Sequence, residues 1–289
     1  MASKSSKAKY PAAKENNSLK EKLDTANEIM KSCHFCERRC GVNRAAGERG
    51  WCGVLEAKIS SEFLHVGEEA PLIPSHTIFF SGCTFACQYC QNRYISQYPE
   101  RGTYVEPKIL VELIEKRKGE GVKNVNWVGG EPSPNIVYIL EVLSQCGVNT
   151  PQIWNSNMYL TEAALDILEG VIDIYLTDFK YGNDDCAMML SNVKNYREIM
   201  TRNHKIISDR NNKIIIRHLV LPNHLECCTF PVLKWISENL NLKNIKVNVM
   251  AQYRPEWKAQ DYREINRRLT RDEFERACWF ARDAGLDLC

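Results

Sequence analysis

From residue 76 onward the chain alternates between two periodicities. Short β-rich apolar runs fall at 76–80, 122–128, 152–154, 172–177, 213–221 and 245–250. Stretches of helical spacing separate them at 105–118, 135–146, 161–168, 184–201 and 230–239, and a closing one runs over 271–284. Six strand–helix units in sequence predict a parallel sheet with helical crossovers, and six units curl into an open barrel. The predicted fold is therefore α/β, a partial (β/α)6 TIM-like open barrel over 65–289 with a C-terminal helix. Ligands of such sheets sit at the carboxyl ends of the strands, and the polar clusters of this chain lie at or near those ends.

Ahead of the barrel the pattern changes. Residues 1–17 carry Lys4, Lys7, Lys9 and Lys14 and almost no large apolar side chain, so they read as a disordered tail. Residues 18–64 hold a helix at 19–30 and then Cys33, Cys36, Cys40 and Cys52, spaced C-x2-C-x3-C-x11-C among glycines 41, 47, 50 and 53. Such a loop-rich knuckle is too small to fold without a metal. The spacing matches neither a regular zinc ribbon nor a regular ferredoxin run, so zinc, a single iron and a second iron–sulfur cluster all stay open. Four free buried cysteines are the alternative. His34 reads as a surface histidine beside them. Gly67 to Pro71, with Pro74, reads as a linker into the main domain.

The loop after the first barrel strand packs Cys83, Cys87 and Cys90 at C-x3-C-x2-C spacing. A cysteine-ligated iron–sulfur cube takes four thiolates. Three leave one iron open to a ligand from outside the protein, the same distinction that separates open catalytic metal sites from closed structural ones. A zinc knuckle or three buried cysteines is the plainer alternative. Gly82 and Ala86 let the backbone fold closely, and Phe85 and Tyr89 can wall the loop from water. At the next strand end, Gly129-Gly130-Glu131-Pro132 exposes backbone groups beside a carboxylate, although alone it is also a strand-to-helix turn. Asn155 and Asn157 stand where a ribose or carboxylate needs hydrogen bonds, and as turn residues equally well. Asp178 and Lys180 project to one face of their strand end by the period-two rule. Arg217 and His218 point to opposite faces, with His218 the inward one because Arg217 can keep its head in water.

Net charge is +2 from 38 basic and 36 acidic residues, so no general field favours nucleic acid or a membrane surface. The apolar runs are short and interrupted by charge, which predicts neither a spanning helix nor a secretory signal. Thirteen cysteines is an odd number, and seven of them cluster toward the N-terminus at metal-ligand spacings, which fits a reduced cytoplasm better than a disulfide framework. Cys146, Cys186, Cys227, Cys228, Cys278 and Cys289 show no pairing pattern, and of these Cys227-Cys228 alone is placed to reach the barrel mouth.

The cysteine triplet followed by Gly129-Gly130-Glu131-Pro132 resembles the radical S-adenosylmethionine (SAM) superfamily. Phe80-Ser81-Gly82-Cys83, Tyr89-Cys90-Gln91-Asn92, Asp178-Phe179-Lys180-Tyr181 and Arg217-His218-Leu219 are similar to its branch around pyruvate formate-lyase activating enzyme. Gly41-Val42-Asn43-Arg44 and Gly47-Glu48-Arg49-Gly50 resemble an activase-like subgroup with an N-terminal four-cysteine knuckle. The resemblance implies a 4Fe-4S cluster on Cys83, Cys87 and Cys90. It implies SAM contacts from Tyr89, Asn92, Gly129, Gly130, Glu131, Asn155, Asn157, Asp178, Lys180 and His218. It also implies reductive cleavage of SAM to a 5'-deoxyadenosyl radical acting on a protein or peptide, with reduced ferredoxin or flavodoxin as electron donor. A small-molecule or cofactor-maturation enzyme, and a non-catalytic iron–sulfur electron relay, are the alternatives.

Overall fold

A computed structural model of the chain describes residues 7–289. In chain order the elements are α1 (Tyr10–Glu15), α2 (Ser18–Lys31), β1 (Ile59–His65), β2 (Ser75–Phe80), α3 (Arg93–Ser96), α4 (Pro107–Gly119), β3 (Asn124–Gly129), α5 (Ile136–Gln145) and β4 (Gln152–Ser156). There follow α6 (Glu162–Leu168), β5 (Ile174–Asp178), α7 (Asp184–Ser191), α8 (Tyr196–Asp209), β6 (Lys213–Leu219), α9 (Phe230–Asn239), β7 (Ile245–Met250) and α10 (Arg271–Asp283). Among the described residues seven strands make one sheet in the order β1 to β7, and it does not close. β2–β3, β3–β4 and β6–β7 pair in parallel, while β1 runs antiparallel to β2. This is the open α/β class that the periodicity predicts, with β1 added.

The chain divides into two compact units. The first comprises the described residues up to 84 with 94–155 and 160–174; the second comprises 85–93, 156–159 and 175–289. In the first, strand side chains are buried on both faces of the sheet: Val125, Trp127, Ile153 and Trp154 are all inaccessible to water. Burial on both faces is what parallel strands covered by helices require. Trp127 meets that demand for its indole by donating to Gln152 Oε1 at 2.8 Å. In the second, α8 lies on β6, and α10 packs on α9 and β7. A capping box starts α10, with the Thr270 hydroxyl accepting from the Glu273 N–H and the Glu273 carboxylate accepting from the Thr270 N–H.

The structure corrects three expectations. Residues 1–6 of the expected disordered tail lie outside the described residues, but 10–15 form α1. Tyr10 is buried, its hydroxyl donates to the Val148 carbonyl, and the Ala8 and Lys9 amides bond the Asn149 and Asp173 side chains at 2.7 and 3.0 Å. One aromatic anchor with side-chain partners therefore orders a segment whose composition is otherwise too polar. The expected boundary at 64/65 coincides with the end of β1, whose ladder with β2 joins the N-terminal region to the sheet. Finally, the helix expected over 184–201 is two helices, because Asn192 and Asn195 adopt left-handed backbone angles (φ 52° and 50°) that a helix cannot carry.

Candidate active site

In the first unit the end of β2 delivers Ser81, Gly82 and Cys83. Gly82 has a φ of 88°, and a Cβ there would lie 2.3 Å from Val54 Cγ2 and 3.2 Å from the Cys52 carbonyl oxygen. The four-cysteine knuckle thus packs directly on the start of the cysteine loop. Arg38 strengthens that contact, donating to the Thr84 carbonyl at 2.9 Å while its guanidinium lies 4.0 Å from the Trp51 ring centre. Within the knuckle, Cys33 and Gly41 are tied by backbone bonds (Cys33 N–H to Val42 O, 2.9 Å; Gly41 N–H to Cys33 O, 3.0 Å), and the Trp51 N–H donates to Cys40 Sγ at 3.2 Å. Burial pushes the Cys36 and Cys52 thiols above the ordinary range, with Arg44 pulling Cys52 back down. His34 keeps its Nδ1 on the Ser32 carbonyl at 2.6 Å, on the surface.

Gly129-Gly130 serves packing first. A Cβ on Gly129 (φ 133°) would sit 2.2 Å from both the nitrogen and the oxygen of Phe80, and one on Gly130 would sit 2.2 Å from the Gly82 carbonyl oxygen. The Gly130 N–H, expected to be open to a ligand, donates instead to the Phe80 carbonyl at 2.8 Å. The glycine pair therefore presses the ends of β2 and β3 together. Glu131 is buried and accepts from the Ser133 hydroxyl. Asn155 is buried at the end of β4.

In the second unit Cys87 and Cys90 are half-buried, while Phe85 and Tyr89 are buried. Phe85 packs edge-on against Tyr159 at 5.5 Å, and Tyr89 against Tyr253 at 5.8 Å. A chain of hydroxyls leads to Cys87. Tyr89 and Tyr181 share a hydrogen bond of 2.7 Å, Tyr181 and Ser191 one of 2.5 Å, and Ser191 donates to Cys87 Sγ at 2.9 Å. The last residues of α7 also hold the loop backbone, since the Leu190 and Ser191 carbonyls accept from Gln88 and Ala86. Burial pushes the Cys87 thiol up to about 11, against the pull of Lys180. Lys180 pairs with Asp178 at 2.7 Å, as the period-two rule predicts. Burial works to neutralise its ammonium, but Asp178 and the neighbouring Cys87 outweigh it and hold the proton on. A cation is thus fixed beside the loop, where it favours thiolate.

Other expected residues are engaged within the protein. His218 is buried, with Nδ1 donating to the Phe179 carbonyl at 2.7 Å and Nε2 bonded to Thr229 Oγ1 at 2.9 Å, and burial lowers its pKa to about 4. Both of its ring nitrogens are spent on neighbours. Asn157 closes a tight turn by accepting from the Tyr159 N–H at 3.0 Å. Asn92 is exposed. Tyr181 and Ser191 are site residues that the sequence alone does not mark. Tyr181 stands in the Asp-Phe-Lys-Tyr motif, but nothing local marks Ser191.

The donor set suits the group that the resemblance implies: three half-buried cysteines outside any disulfide on one short loop, with a fixed cation beside Cys87. Comparison with known proteins agrees. The family model described as the Radical SAM superfamily matches residues 77–236. An uncharacterized protein of Methanocaldococcus jannaschii is 52% identical over 94% of this chain and 80% of its own length. The pyruvate formate-lyase 1-activating enzyme of Escherichia coli is 26% identical over 50% of this chain and 60% of that enzyme. Among solved structures, Streptococcus suis SuiB bound to S-adenosylmethionine superposes with a TM-score of 0.52 at 15% identity, over 72% of this chain and 47% of that one, a likeness of fold alone. With a family model matching residues 77–236, more than half of its length, the chain belongs to the radical SAM superfamily, whose members use a 4Fe-4S cluster and S-adenosylmethionine.

Proposed function

We propose that Cys83, Cys87 and Cys90 hold the 4Fe-4S cluster and that the chain is an activase-like or protein-modifying radical SAM enzyme. When bound, the reduced cluster and SAM together supply a 5'-deoxyadenosyl radical that removes a hydrogen atom from a protein or peptide. The chain's own part is ligation, orientation and exclusion of water. Ser191 and Lys180 orient and charge-balance Cys87, and Phe85 and Tyr89 keep the loop dry. Glu131, Asn155 and Asp178 are the SAM contacts best supported, being polar groups at successive strand ends. Gly129 and Gly130 act through the close strand approach they permit. His218 acts as a positioning residue, holding the Phe179 carbonyl beside Asp178 and Lys180. Tyr89, Asn92 and Asn157 complete the set through the loop and turn they form.

The observation that carries the protein-substrate reading is the partial match to an activating enzyme. Its test divides an anaerobic cell extract into macromolecules and small-molecule filtrate and adds each to reduced enzyme with SAM. Protease-sensitive stimulation of 5'-deoxyadenosine formation by the macromolecules is expected, with a doublet electron paramagnetic resonance signal if the product is a glycyl radical. Stimulation by the filtrate alone would sink it in favour of a small-molecule substrate. Reduced ferredoxin or flavodoxin in a reducing cytoplasm fits as electron donor. Among the described residues no helix is long and apolar enough to cross a membrane.

The knuckle of Cys33, Cys36, Cys40 and Cys52 is proposed as a second metal or iron–sulfur site that braces the cysteine loop through Arg38 and the contact at Gly82. Cys33→Ala/Cys36→Ala is expected to lose its complement of iron, sulfide or zinc. Unchanged contents of all three would remove the second site.

A further inference from the structure

Helix α7 begins beside a cluster of soft donors that SAM cleavage does not use. Cys186 Sγ lies 3.9 Å from Cys227 Sγ, which lies 3.9 Å from Cys228 Sγ. One ligand atom each of Cys186, His224 and Cys227 falls within 4.8 Å of the others. Among the described residues this is the one set of three or more His, Cys, Asp or Glu donors so closely gathered. Zinc bound tetrahedrally at about 2.3 Å from sulfur places neighbouring sulfurs about 3.8 Å apart, close to the spacing found here.

The imidazole is prepared for the same task. His224 is buried and donates Nδ1–H to the Pro222 carbonyl at 2.8 Å, which leaves the lone pair on Nε2. A carbonyl that fixes the tautomer in this way is the usual second partner of a metal-bound histidine. The scaffold is built to bring the donors together. The Cys186 N–H donates to Asn183 Oδ1 at 2.8 Å, and Asn183 Nδ2 donates to the Cys227 carbonyl at 2.8 Å. Gly182 lies so close that a Cβ would stand 2.4 Å from that same carbonyl oxygen. Leu225–Thr229 is a π-helical turn, closed by a bond of 3.0 Å from the Thr229 N–H to the His224 carbonyl. Such turns are rare and gather at functional sites.

We propose that Cys186, His224 and Cys227 bind a zinc ion that staples the start of α7 to the segment following β6. Thiolates with an imidazole select zinc over hard cations. Each ligating thiol releases its proton to solvent as the metal enters, and no electron is exchanged. The staple has a consequence for the radical site, because Ser191 ends the same helix about 7.5 Å further along its axis and carries the hydrogen bond to Cys87.

The test is a metal count on anaerobically purified full-length protein. Wild type is expected to carry one zinc equivalent that Cys186→Ser/Cys227→Ser loses while its iron and sulfide stay unchanged, and that Cys33→Ala/Cys36→Ala retains. Peptide mapping after alkylation gives a second reading on the unaltered chain. Cys186 and Cys227 are expected to resist iodoacetamide until a zinc chelator is added. Equal zinc in wild type and the Cys186/Cys227 variant would overturn the proposal. So would alkylation of both thiols before chelation, or protection released by a disulfide reductant instead of a chelator.

Discussion

Alanine at Cys83, Cys87 or Cys90 is expected to lower the iron and sulfide content of the anaerobic protein and to cut 5'-deoxyadenosine formation by more than about 100-fold. Loss of an outer partner of a metal ligand typically costs 10- to 100-fold, and loss of a ligand costs more. The thiols are half-buried on a loop whose backbone is held by the Leu190 and Ser191 carbonyls and whose rings are packed. Melting temperatures of the variants without cluster should therefore match that of the wild-type apoprotein. Ser191→Ala supplies the graded comparison. It removes the hydroxyl 2.9 Å from Cys87 Sγ without touching a ligand, so about a tenfold loss with the cluster retained is expected. A Cys90→Ala protein with full iron and sulfide and undiminished SAM cleavage would remove the loop from the chemistry.

The largest effect on stability is expected at Gly129. An alanine there meets the Phe80 backbone at 2.2 Å on two atoms and must also hold a φ of 133°, which side chains other than hydrogen rarely adopt. Backbone cannot step aside as the tip of a flexible side chain can, so the ends of β2 and β3 must part. The expected cost of Gly129→Ala is about 3–5 kcal/mol, combining local strain with overpacking. Gly119 in α4 is the control, because nothing lies within 4 Å of its Cβ position and its φ needs no glycine. Gly119→Ala should be neutral or stabilise by up to about 1 kcal/mol. Denaturant melts of the two variants decide the matter. Equal stabilities would mean that the close approach of the two strand ends has been misjudged.

The elements most legible from sequence are those whose burial leaves a continuous apolar mark. β6 reads directly because Ile214, Ile215 and Ile216 are all buried, and β7 because Ile245, Val247 and Val249 are buried in alternation with half-buried neighbours. β1 escapes because it is an antiparallel edge strand in which Ile59 alone is buried, so Ser60, Ser61 and Glu62 dilute its pattern. α1 escapes because a single tyrosine and an alanine anchor it, too few for a composition argument. The cysteine loop is legible because its three ligands are neighbours in sequence. The relay from Tyr89 through Tyr181 and Ser191 to Cys87 is not, since it joins residues from three separate elements. The set Cys186, His224 and Cys227 is hidden for the same reason, and only the fold brings those donors within 4.8 Å. Gly129 and Gly130 are easily found, but their chief duty, close packing of backbone on backbone, takes coordinates to see.

The most direct measurement uses wild-type protein with its cluster reconstituted, a chemical reductant and SAM under strict anaerobiosis, followed by quantification of products. The account predicts that 5'-deoxyadenosine and methionine appear together in equal amounts and only when reductant is present. SAM that stays intact beside a protein carrying its full iron and sulfide would contradict it.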